Sequence, residues 1–215
     1  MGPMHHRVRE AVDHTPRPGV LIVLGQFSFL VFLSVSVALH PGFVFKVEEG
    51  GISNYGIHLK TVIPYSLAFL LCSYFSYRAA RLYRSSDAIT QRLRYLLYVY
   101  SGLLLVTLLS TYGYKLNVGL KDAHIAIGVA AITFELVASV WIYIQLRGAW
   151  DTVFVVLQVA GSAVAGLTVL GALHLLFLGQ ALADVGFALL LIHIGSVTPC
   201  RGDESLPIRD VDGRA

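Results

Sequence analysis

The sequence predicts an all-α, polytopic integral membrane protein: a bundle of six transmembrane helices with both termini on the cytoplasmic side. Three observations lead there. Of 215 residues, 56% are hydrophobic and only 13% are charged, where a soluble domain carries about a quarter charged residues. With a mean hydropathy of +0.70, so much apolar surface cannot be hidden in a soluble core, and lipid is its natural solvent. The apolar residues are also gathered into six runs rather than spread evenly. Finally, six alternating spans place all twelve arginines on the side of the termini and the four lysines, Lys46, Lys60, Lys115 and Lys121, on the other. Positive residues near spans are retained in the cytoplasm, which puts the arginine side inside and the chain in the cell membrane.

Residues 1–19 read as a cytoplasmic arm. The first span, 20–39, has no charge over 20 residues, about 30 Å of helix and enough to cross the hydrocarbon core. A cleaved signal peptide is the alternative, with Arg7, Arg9 and Arg17 before the run and Ser36 and Ala38 near its end, but a signal core is usually about 7 to 15 residues. The second span, 61–77, has Pro64 in its first turn, where a helix tolerates proline. The third, 95–114, carries Tyr95, Tyr98 and Tyr100 at one end and Tyr112 and Tyr114 at the other, read as interfacial belts. The fourth, 125–146, is apolar except for Glu135. The fifth, 152–178, is 27 residues without a charge and so must tilt, bend or protrude. The sixth, 180–198, holds Asp184 and His193 and is stopped by Pro199. Residues 199–215 form a polar cytoplasmic tail.

Several function classes are excluded. The net charge is only +3 and its basic residues flank spans rather than forming a patch, so there is no nucleic-acid footprint. Cys72 and Cys200 are too few and too far apart for a disulfide framework and lack metal-ligand spacing. In the fifth span Gly161, Ala165, Thr168 and Ala172 share one face, the kind of small-residue stripe that lets membrane helices pack closely within a chain or between copies.

Two groups of residues could carry chemistry. The topology brings His40, Glu48, Glu49, His58, Asp122, His124, His174 and Asp184 to the outer level. Imidazoles and carboxylates from several helices could hold a zinc-like metal, with His58, His124 and His174 as ligands, bind a small polar molecule or lipid headgroup, or act as acid and base. Solvated helix ends would also explain them. Deeper in the bilayer, Glu135 and His193 lie at similar distances into their spans. A carboxylate at the bilayer centre costs about 2.5 kcal/mol or more and normally faces the bundle and a partner, so His193 is the expected partner of Glu135. Eleven residues separate His124 from Glu135 and return to nearly the same helix face, a ladder from the outer layer to mid-membrane. The first outer loop, with Gly50, Gly51 and Gly56, has the backbone freedom to fold over that layer as a lid.

Through the Glu-Gly-Gly-Ile-Ser-Asn-Tyr-Gly stretch at 49–56 and Asp122-x-His124, the chain resembles a group of bacterial six-span membrane proteins of unassigned function. In its span layout and glycine-bearing first outer loop it is similar to the damage-regulated autophagy modulator and FGF-receptor-activating protein group. That resemblance implies six helices and no particular activity. The residues favour binding or transport of a small molecule, ion or lipid headgroup from the outer face. A metal-dependent hydrolase or transferase, a haem electron carrier using His124 and His174, and a purely structural partner protein are the competing readings.

Overall fold

A computed structural model of the chain describes residues 17–44, 51–84 and 87–198. The described residues are helical, without strands, and five helices are long and apolar enough to cross a membrane; a bent pair raises that number to six. Helix α1 (Pro18–Leu39) starts with proline at its first position, where no amide donor is lost. After a short 3₁₀ turn at Pro41–Phe43 and a second at Gly51–Ser53, α2 (Asn54–Ile57) meets α3 (Val62–Leu82) at a bend of 114°. The chain continues through α4 (Ala88–Gly113), α5 (Val118–Leu146), α6 (Ala149–Val169) and α7 (Leu176–Val197). Side-chain caps set two of these starts: Asp87 accepts from the Thr90 amide at 3.0 Å, and Asn117 from the Leu120 amide at 2.9 Å.

The six long helices form a ring in chain order, α1 against α3, α3 against α4 and so on, closed by α7 against α1. One end of the bundle carries Lys60, Lys115 and Lys121; the other carries Arg17, Arg84 and Arg147. They are called here the lysine end and the arginine end. The closest seam joins α6 to α7. A Cβ placed on Gly161 would lie 2.4 Å from the Ala183 amide nitrogen, and one on Gly179 would lie 2.4 Å from that of Ala165, so the two backbones are in direct contact. Gly161 and Ala165 of the small-residue stripe are therefore buried in this seam, while Thr168 is half-buried and Ala172 exposed.

Several boundaries differ from the sequence reading. The uncharged stretch 152–178 is not one helix: α6 ends at Val169, and Gly171, at φ +78°, reverses the chain before α7. At its other end α6 begins three residues earlier than expected, which takes Asp151 out of the loop and into the first turn. The tyrosines also divide. Tyr95 and Tyr112 are exposed, as a belt requires, but Tyr100 and Tyr114 are each only 4% exposed and belong to the interior.

Candidate functional site

The lysine-end half of the bundle encloses a cavity of about 80 Å³ between α1, α3, α4, α5 and α7, roofed by the Gly51–Ser53 turn. Its polar lining is Ser53, Tyr65, Tyr100, Thr107, Glu135, Gln180 and Asp184. No lysine or arginine among the described residues lines it. The α5 wall is Gly128, Ala131, Ile132, Phe134 and Glu135, of which Gly128, Ala131, Ile132 and Glu135 are spaced as one helix face. Two small residues there leave the space and the carboxylate closes its floor. Glu135 is 8% exposed and lies against the side chain of Gln158, which is fully buried on α6. It is close enough to Asp184 of α7 for the two carboxyls to interact electrostatically.

The roof is tied down from three sides. The Ile52 amide donates to Gln180 Oε1 at 2.8 Å. Ser53 Oγ is 2.9 Å from His124 Nε2, and Ser110 Oγ is 2.8 Å from His124 Nδ1. Tyr114 stacks on the His124 ring at 4.9 Å and donates its hydroxyl to Asn54 Oδ1 at 2.8 Å. His124 therefore couples α4 and α5 to the turn that covers the cavity, and both its ring nitrogens are engaged. Beside the roof, Tyr65 and Thr111 exchange a hydrogen bond of 3.1 Å between α3 and α4.

The expected outer layer is only partly assembled. His40 and His58 meet edge to face at 4.5 Å, with Phe43 stacked on His40 at 4.0 Å, an aromatic corner beside the roof. Asp122 and His174 are exposed, the latter in the connection between α6 and α7. Glu48 and Glu49 lie outside the described residues. The metal set His58, His124 and His174 is a correction: among the described residues no group of three or more His, Cys, Asp or Glu side chains is placed to hold a metal. The physical reason is that His124 is taken up by two serines while His174 points to the surface. Of the two histidines expected for a haem carrier, His124 has both ring nitrogens in hydrogen bonds and His174 is exposed.

The pairing of Glu135 with His193 is a second correction. Nδ1 of His193 lies 2.5 Å from Oδ1 of Asp151, near the arginine end, while Glu135 faces Asp184 and Gln158. Equal residue counts from the helix starts fix the rise along each helix, but not the level at which that helix begins. Sequence reasoning missed Ser53, Tyr65, Tyr100, Gln158 and Gln180. The available signal was that Gln158 and Gln180 are amides within or beside apolar runs, where each needs a partner.

Fold and cavity together define a class: an all-helical, membrane-embedded protein with a carboxylate-lined interior cavity. Comparison of the chain with family models, curated proteins and solved structures finds no match in any of the three. The resemblance carried by residues 49–56 and 122–124 therefore stands on those residues alone.

Proposed function

We propose that this chain is a six-span cell-membrane protein, with both termini cytoplasmic and the lysine end outward, that binds a small cation, inorganic or amine, in the cavity floored by Glu135 and Asp184 as part of a binding or transport cycle. The observation that carries this reading is two carboxyls from different helices converging on one interior cavity that no lysine or arginine among the described residues lines. Each such group costs about 2.5–3.5 kcal/mol at the bilayer centre on insertion scales, and intramembrane acids mark ion and substrate pathways. A bound cation supplies the missing charge. Tyr65, Tyr100 and Gln180 add oxygens to the same wall, the hard donors that suit alkali and alkaline-earth ions and ammonium groups.

Thermal unfolding of the detergent-purified protein against sodium, potassium, calcium, butylamine and choline tests the binding. At least one of these should raise the midpoint saturably, and Glu135→Gln with Asp184→Asn should weaken that effect at least tenfold. No saturable shift with any probe, or a shift unchanged in the double variant, overturns the reading. The orientation has its own test. Cysteine placed at Lys115 should react with an impermeant maleimide on intact cells, and cysteine placed at Arg147 should react only after permeabilisation; the reverse pattern inverts the topology.

A further inference from the structure

The seam between α1 and α7 is closed at one end and open at the other. At the arginine end the backbones touch: a Cβ on Gly19 would lie 2.4 Å from the Gly195 carbonyl oxygen. In the lysine-end half the same two helices leave a groove of about 200 Å³. Leu33 and Val37 of α1 and Phe177 and Val185 of α7 make its apolar walls, and Ser34 and Asp184 are its polar members. Ser34 is exposed, so the groove opens on the flank of the bundle, beside the exposed apolar side chains of Val31 and Val35. Asp184 belongs to the groove and to the interior cavity alike. Among the described residues it is the one ionisable side chain in the groove, and it stands where groove and cavity meet.

We propose that this groove is a lateral binding site for a single-chain amphiphile with a cationic amine head, its tail lying between α1 and α7 and its ammonium group on Asp184. The inference rests on the reading of the cavity as a cation site and names the substrate class and its route of access. Hydrocarbon walls alone would not select a ligand, since a lipid tail is as apolar as leucine. Selection comes from the carboxyl, which favours an ammonium head over a hydroxyl or a sulfate of the same chain length. Arrival through the bilayer also suits the roof: with Ile52, Ser53 and Asn54 held by Gln180, His124 and Tyr114, a ligand entering from the flank does not have to displace them.

The test is photolabelling of the full-length protein in lipid nanodiscs with a long-chain alkylamine carrying a diazirine near its tail end, followed by peptide mapping. Adducts should concentrate on residues 30–37 and 177–185, and excess dodecylamine should suppress them while dodecanol and dodecyl sulfate should not. Asp184→Asn should lower that labelling at least fivefold, as should Ala181→Phe, which fills the groove; unfolding midpoints check that both variants fold. Labelling spread evenly over the lipid-facing helices, equal competition by dodecanol, or labelling indifferent to both substitutions overturns the proposal. If butylamine stabilises the protein through Glu135 and Asp184 while labelling is even, the groove falls and the cavity stands. No response to any small cation together with even labelling removes both.

Discussion

His193 Nδ1 lies 2.5 Å from Asp151 Oδ1, and this pair fastens the last turns of α7 to the first turn of α6. The two partners are not equivalent. Asp151 is wholly buried and its Oδ2 also accepts from the Gly148 amide at 2.9 Å, whereas the His193 side chain is 39% exposed. Removing one member of a buried pair costs about 3–5 kcal/mol, and partial exposure brings the expected loss for His193→Ala down to about 1–2 kcal/mol. Unfolding in mixed detergent should show that loss. Asp151→Asn combined with His193→Ala should be no worse than the sum of the singles less the coupling, roughly 1 kcal/mol. Strict additivity would mean the contact contributes nothing.

The α6–α7 seam makes a prediction about glycines that look alike in sequence. Alanine at Gly161, Gly179 or Gly186 would put a Cβ within 2.4 to 2.7 Å of the facing backbone. Backbone cannot turn aside as a side chain can, and the helices must separate at a cost of about 1–3 kcal/mol. Gly102 and Gly166 have open space at the same position, and alanine there should be neutral or slightly stabilising. Equal unfolding midpoints across all five variants would contradict the seam.

Gln180 is the link between α7 and the roof of the cavity. Gln180→Leu leaves the Ile52 amide without its acceptor, a loss of about 1–3 kcal/mol if the amide stays buried. Hydrogen exchange at residues 51–57 should then accelerate by about tenfold or more, with α3 and α4 unchanged. Ser53→Ala should act in the same direction by releasing the turn from His124. Unaltered exchange in both variants would mean the roof is held elsewhere.

Strong acid should loosen the arginine end of α4. The Thr90 backbone amide donates to the Asp87 carboxylate and holds it below the ordinary carboxylate range. A group whose folded value is lowered contributes stability that is fully present above its unfolded value, near 3.8, and is lost as the pH falls through the folded value. Asp87→Asn keeps a capping side chain but should flatten the dependence of the unfolding midpoint on pH below about 4. An unchanged acid limb in that variant would assign the effect to other carboxyls.

Much of this was legible in the sequence, and the physical reason is locality. Membrane residence depends on runs of about 20 apolar residues, so composition and hydropathy suffice for the all-helical, membrane-embedded class, and for singling out Glu135 as a residue that must face the interior. Small residues at 161 and 165 marked a close seam because backbone approach is a property of the residues themselves. The face of α5 that carries Glu135 was legible for the same reason, since helical spacing is local.

What only the tertiary structure decided is which side chains meet across helices. Spacing along a helix gives rotation and rise, but not where a neighbouring helix starts, how far out it reaches, or which face it turns. Asp184 stood at the expected outer level by residue count, yet α7 brings it to the cavity beside Glu135. His193 seemed level with Glu135 by the same count and instead meets Asp151, because α6 starts earlier than its apolar run. Tyr100 and Tyr95 share a helix and a side-chain type, and only the packing of α4 sends one to the cavity and leaves the other at the surface. The sequence by itself determined the solvent of each segment, a local free energy of transfer; the fold decided the partners, which depend on inter-helix geometry that no single segment encodes.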